Sequence, residues 1–156
     1  MKAASMRVLG IGLALGLGVV VSPSVRADSV KFGGRVGYYT DVQKPILGVE
    51  ILAPVARRVY FNPNIELVLI DNVTYFTLNG DFHYDFHTGN SSFVWLGGGL
   101  GVVKFDPDGP NNGDTDLAAN FLGGVGFRSG HVIPYFQAKV IAKDNSEFVI
   151  AFGVRF

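Results

Sequence analysis

Residues 147–156 read Glu-Phe-Val-Ile-Ala-Phe-Gly-Val-Arg-Phe. In an extended strand, successive side chains point to opposite faces. Phe148, Ile150, Phe152, Val154 and Phe156 therefore share one face. Glu147, Ala151, Gly153 and Arg155 share the other, with Val149 its apolar exception. An apolar stripe closing on an aromatic ring and a free carboxylate makes a poor core strand for a soluble protein. It suits a strand whose stripe meets lipid and whose last ring sits at the membrane–water interface.

The same period of two recurs along the chain, interrupted every 10–15 residues or so by clusters of Pro, Gly, Asn and Asp. The pattern predicts eight strands, at about 30–40, 46–54, 58–71, 73–86, 92–105, 117–128, 132–143 and 146–156. Most exceed the 5–6 residues typical of soluble sheets and match the roughly 9–11 needed to cross a bilayer at a tilt. In the third strand Val59, Phe61, Pro63, Ile65, Leu67 and Leu69 oppose Arg58, Tyr60, Asn62, Asn64 and Glu66. In the fourth, Phe76, Leu78, Phe82, Tyr84 and Phe86 oppose Thr77, Asn79, Asp81, His83 and Asp85. The sixth sets Leu117, Phe121, Val125 and Phe127 against Asp116, Asn120, Gly124 and Arg128. The fifth is apolar on both faces, and its alternation assigns neither.

One face thus carries large apolar residues and the other carries small residues with charges of both signs. An eight-stranded barrel has an interior just wide enough for side chains. The crowded aromatic face fits outside, and the face bearing Arg35, Arg128, Lys139 and Arg155 against Glu50, Glu66, Asp81, Asp85 and Glu147 fits inside. There the charges can neutralise one another, which burial demands. In lipid every backbone N–H and C=O needs an internal partner, so such a sheet must close. The expected fold is all-β: an eight-stranded antiparallel up-and-down transmembrane β-barrel. With an even strand number both termini lie on the periplasmic side, and the 106–116 loop lies outside.

Residues 1–27 read as a cleaved signal peptide. Lys2 and Arg7 precede an apolar and glycine run over 8–21, shorter than the roughly 20 residues of a spanning helix. Val25-Arg-Ala27 resembles a cleavage site, leaving 28–156 as the barrel domain. The chain has no Cys, which excludes a lipoprotein anchor and a disulfide framework. Only 17% of residues are charged, against about 25% in soluble domains. A net charge of zero leaves no basic footprint for nucleic acid.

The first strand Phe32-Gly-Gly-Arg-Val-Gly-Tyr-Tyr39, the run Leu96-Gly-Gly-Gly-Leu-Gly101 and the terminal 148–156 stretch carry a resemblance. On these features the chain resembles the small eight-stranded outer-membrane β-barrels of Gram-negative bacteria, of the OmpA-transmembrane, OmpX and opacity-protein type. That resemblance implies the bacterial outer membrane as location. It implies membrane lipids and lipopolysaccharide as neighbours, and the barrel-assembly machinery as a partner during insertion. It is specific for architecture and weak for activity, since the superfamily holds anchors, adhesins, small channels and a few lipid-modifying enzymes.

The expected role is non-enzymatic, structural or in surface interaction with an unknown ligand, with no cofactor. Porin-like openness is not expected, because charged side chains fill so narrow a lumen. The competing reading is a secreted or periplasmic lipocalin-like barrel with its apolar face around a cavity. A lipid-modifying enzyme ranks third: a Ser–His pair is needed, yet the family's His-x-Ser-Asn signature is missing at His87 and His131. Two weak metal candidates stand out. His83, Asp85 and His87 share a strand face at alternate positions, with Asp81 beside them. Asp106, Asp108, Asp114 and Asp116 place oxygens at alternating positions that suit calcium, but the closing Glu of a calcium loop is missing. The plain alternatives are lumen pairing for the first and a solvated acidic loop for the second. Trp95, Phe93, Phe105, Tyr38, Tyr39, Tyr60 and Phe156 lie near strand ends and are expected to form two interfacial girdles.

Overall fold

The computed structural model describes residues 29–70, 73–88, 91–107 and 114–156. The expected signal segment lies outside these residues, as does Asp108. Eight strands follow in chain order: β1 (Lys31–Tyr39), β2 (Lys44–Ala56), β3 (Val59–Ile70), β4 (Val73–His87), β5 (Ser92–Pro107), β6 (Asp114–Phe127), β7 (Ile133–Ala142) and β8 (Glu147–Arg155). Each pairs antiparallel with its sequence neighbours, and β1 pairs with β8 to close the barrel. At that seam Phe32 N donates to Phe156 O (3.1 Å) and Phe156 N donates to Phe32 O (2.9 Å). Closure leaves no free edge along the seam, which is what a lipid environment requires of a sheet.

The faces follow the expected parity. Phe82 (51% exposed), Phe121 (62%) and Phe152 (41%) point outward, whereas Glu66 and Asp81 are fully buried. The interior of a small barrel therefore holds charges, and the perimeter holds Leu, Ile, Val and Phe. This is the arrangement of a transmembrane barrel and the reverse of a soluble ligand-binding one.

Cross-strand register explains how so narrow a lumen accepts large inward side chains. Several lie opposite a glycine: Arg35 faces Gly48 and Glu50 faces Gly33. His83 faces Gly97 and Asp81 faces Gly99. Trp95 faces Gly124 and Phe93 faces Gly126, and Tyr135 faces Gly153. A Cβ on Gly124 would lie 2.2 Å from Trp95 Cζ2, and one on Gly153 would lie 2.3 Å from Tyr135 Cζ. The missing Cβ is the space the ring occupies.

Three departures from the sequence expectations have physical reasons. The fifth strand has definite faces, with Phe93, Trp95, Gly97, Gly99, Gly101 and Val103 inward; it reads as apolar twice over because its inner face is mostly glycine and aromatic. Of the proposed girdle residues, Tyr38 and Phe156 do face outward, while Phe105 keeps the inward phase of β5, against the Tyr75 ring, and is exposed near the strand's end. Phe93, Trp95, Tyr39 and Tyr60 instead face the lumen and are buried, because their parity matches the charged residues and not the lipid stripe. Arg128, placed on the inner face by alternation, sits just past β6 at the mouth, exposed, with its guanidinium 4.5 Å over the Phe93 ring.

Candidate functional site

The chemistry of this barrel lies in its lumen, which is layered along the axis. At the end away from the termini, Tyr39, Ile46, Val68, Tyr75, Val103, Ala118, Ile141 and Val149 pack into an apolar collar. At the termini end, Phe93, Trp95, Leu122 and Tyr135 form a second collar, with Ile133 against it. Between them lies a polar layer whose residues come from every strand except β5 and sit at inward positions.

Two carboxylates organise that layer. Glu66, from the middle of β3, accepts from Lys139 Nζ (2.6 Å), Thr77 Oγ1 (3.2 Å) and Tyr39 OH (3.3 Å). Its other oxygen lies 3.3 Å from Arg35 Nε. Glu50, from β2, accepts from Arg155 Nε (2.7 Å), Tyr135 OH (2.7 Å) and Asn62 Nδ2 (2.9 Å). Arg35 Nη1 lies 3.8 Å from Glu50, so its guanidinium bridges the two clusters. Asp81 is held by amides, from Asn120 Nδ2 (2.8 Å) and Asn64 Nδ2 (3.0 Å). Asn79 links both amides, donating to Asn64 (3.0 Å) and accepting from Asn120 (2.9 Å). Three buried cations, Arg35, Lys139 and Arg155, thus pair with Glu50 and Glu66, while the buried Asp81 is held by amides alone. Glu147 sits apart at the far collar, accepting from Tyr75 OH and pairing with Lys143 at 3.2 Å.

Breaking such pairs by removing one partner is costly, whereas the intact set is close to balanced. The arrangement can hold the eight strands in one register. Among the described residues, rings and aliphatic side chains lie at both ends of the charged layer.

His83 and Asp85 do come together, with His83 Nε2 3.3 Å from Asp85 Oδ1. His83 is also stacked between Tyr60 (centroids 5.5 Å apart) and Trp95 (5.6 Å), so its ring is enclosed by aromatic walls. Asp81 turns to amides and away from this pair. His87 continues β4 at the matching parity, and its side chain lies outside the description. Among the described residues no three His, Asp or Glu side chains converge as metal ligands. Of the loop acids, Asp106 lies 3.7 Å from Lys104 and Asp116 lies 3.9 Å from Lys143, while Asp114 is exposed and Asp108 lies outside the described residues. His131 is exposed in the β6–β7 turn on the termini side.

Sequence reasoning identified Glu50, Glu66, Asp81, Arg35, Lys139 and Arg155 as inner-face charges. It missed the aromatic contribution of Trp95, Phe93 and Tyr135. The available signal was parity: each shares the inward phase of its strand's polar or glycine residues.

No family model matches the chain, and no curated protein matches it by sequence. Solved structures do. The N-terminal β-barrel domain of Pseudomonas aeruginosa OprF superposes with a TM-score of 0.69 at 15% identity, covering 81% of this chain and 95% of that one. Neisserial surface protein A gives 0.63 at 14% identity, over 81% of this chain and 94% of that one. Ail, the attachment invasion locus protein of Yersinia pestis, gives 0.56 at 12% identity over 82% and 97%. The outer membrane enzyme PagL gives 0.54 at 14% identity over 79% and 97%. The fold is that of the small eight-stranded barrels of the bacterial outer membrane.

Proposed function

We propose that this chain, built on the fold of small outer-membrane barrels, is a closed and non-catalytic membrane anchor. It would present its far-end loops at the cell surface, after removal of 1–27 leaves 28–156 as the inserted domain. Membrane lipids and lipopolysaccharide would surround it, and barrel-assembly machinery would insert it. The observation that carries the reading is the lumen: a buried layer of ion-paired and amide-bound carboxylates flanked at both ends by apolar collars. A lumen spent on internal pairing supports a structural or surface-interaction role over transport.

PagL carries the same fold and is an enzyme, so the fold alone does not decide catalysis. What favours the non-enzymatic reading is the placement of histidines among the described residues. His83 is walled in by Tyr60 and Trp95, and His131 lies at the termini-side turn. Neither faces the lipid band beside a serine.

Membrane fractionation with heat-modifiable gel mobility tests insertion. Planar-bilayer recording and liposome swelling test closure. Conductance at the lipid background and no solute uptake support the proposal; steady open-pore current overturns the closed lumen. Release of acyl chains from purified lipid A by the folded barrel would overturn the non-catalytic reading.

A further inference from the structure

The outer wall carries a groove that packing inside the barrel does not require. Gly34 occupies an outward position of β1, in the stripe that also holds Phe32 and Val36. A Cβ there would meet nothing closer than 3.9 Å, whereas Cβ atoms on the inward Gly33 and Gly37 would come within 2.9 Å and 2.4 Å of neighbouring atoms. Over Gly34 opens a groove of about 630 Å³, walled by Phe32, Val49, Ile51, Ile65 and Phe156. From it β2 runs on to the β2–β3 turn, with Arg57 six residues past Ile51. At about 3.3 Å per residue and a tilt of about 40°, that is roughly 15 Å along the barrel axis. It matches the depth of one leaflet, half of a hydrocarbon core about 30 Å thick. At the end of that path stand Arg57 and Arg58, both exposed. Arg58 holds φ at 64°, a left-handed conformation that glycine would adopt at less cost. Charge is also lopsided along the axis. Among the described residues the far rim carries Asp41, Asp106, Asp114, Asp116 and Asp144, whereas the acid near the termini-side rim, Asp85, is buried.

We propose that this wall holds an anionic phospholipid of the termini-side leaflet, its phosphate on Arg57 and Arg58 and an acyl chain along the groove over Gly34. The site rests on the reading that the barrel is inserted in a membrane. A guanidinium fork matches phosphate oxygens, and each cation near an anionic lipid surface strengthens binding roughly five-fold. A zwitterionic head group brings its own ammonium, which offsets that attraction. Phosphatidylglycerol brings none, so it is the class the turn selects. A second barrel inserted in the same sense would hold its rim acids at the opposite membrane face and leave the arginines without a counter-charge. The strained Arg58 then keeps a charge where glycine would favour stability, the exchange expected of a binding position.

The test folds the full chain in detergent and confirms the barrel by heat-modifiable mobility. Mixed micelles then offer equal amounts of palmitoyl-oleoyl phosphatidylglycerol and phosphatidylethanolamine, and native mass spectrometry counts the lipids retained. Phosphatidylglycerol should exceed phosphatidylethanolamine about ten-fold. Arg57→Gln and Arg58→Gly should each lower that excess about five-fold, even though Arg58→Gly relieves backbone strain. Gly34→Leu fills the groove floor without touching the arginines and should lower retention of both lipids at least about three-fold. Glycerol phosphate in millimolar excess should not displace the lipid. Equal retention of the two lipids, or an excess unchanged by both arginine substitutions, overturns the head-group site. Retention unchanged by Gly34→Leu, or displacement by glycerol phosphate, overturns the acyl groove. A dimer that Gly34→Leu dissolves overturns lipid as the occupant. Because folding is verified separately, each of these failures leaves the anchor reading standing, whereas a chain that never acquires the shifted mobility overturns both.

Discussion

Replacing Glu66 by Gln isolates the weight of the lumen network. The substitution keeps side-chain length and one carbonyl oxygen but removes the charge that serves Lys139 at 2.6 Å and Arg35 at 3.3 Å. The new amide also points two donors at groups that already donate. Arg35 retains Glu50 at 3.8 Å, whereas among the described residues no second carboxylate is paired with Lys139, whose side chain is 1% exposed. Removing one member of a buried pair costs about 3–5 kcal/mol. At the lower figure the folded-to-unfolded ratio falls by a factor of about 150. The measurement is urea unfolding of the barrel in lipid vesicles, followed by Trp95 fluorescence and by the fraction of heat-modifiable band. Adding Lys139→Met removes the stranded cation, so the double variant should recover 1 kcal/mol or more relative to the sum of the single changes. A Glu66→Gln barrel within about 0.5 kcal/mol of the parent, or strict additivity with Lys139→Met, would refute the claim that this pairing organises the lumen.

Other substitutions probe the remaining layers. Gly97→Ala would set a Cβ 2.1 Å from the Phe82 carbonyl and 2.6 Å from His83 Cβ, and should cost about 1–3 kcal/mol in the same unfolding assay. Gly34→Ala meets nothing closer than 3.9 Å and should be neutral or slightly stabilising. Leu78→Arg places a charge on the lipid face, where Leu78 is 50% exposed and pairs with Ile65 near mid-strand; it should cost about 2–4 kcal/mol in vesicles. Arg58 holds φ at 64° in the β2–β3 turn, and Arg58→Gly should raise stability by up to about 1 kcal/mol, read from the urea midpoint. Calcium at millimolar concentration should give no saturable heat with the Asp106–Asp116 segment, since two of its acids already lie beside Lys104 and Lys143; a stoichiometric isotherm would establish a calcium site there.

The barrel was legible because period-two alternation survives in most strands. Each strand needs only one phase to be assigned, and charged residues such as Glu66 or Lys139 fix it at once. Where the inner face is glycine and rings, as in β5, parity has no charged marker and the reading stalls. Strand ends were less legible: β5 and β6 run to Pro107 and from Asp114, because a hairpin ladder continues into residues whose composition looks like a loop. The Arg57–Arg58 turn carries no glycine or asparagine, so its left-handed residue gives no local signal. The inner charges could be named in advance, but not their partners. Arg155 reaches Glu50 across 105 residues of sequence, and only the register of closure brings them together.

The glycine-for-bulk pairing works as a tally written across neighbouring strands. A slip of two residues keeps every side chain on its proper side of the wall, so the inside–outside pattern cannot detect the error. Size can. Shifted by two in one direction, β5 would press Trp95 against Leu122, and in either direction β1 would bring Arg35 against Ile46 or Glu50 where Gly48 now yields. A hairpin that carries such pairs can therefore check its own alignment before the ring is complete, and the permitted sequence changes there are coupled: bulk added on one strand must be surrendered at the residue facing it.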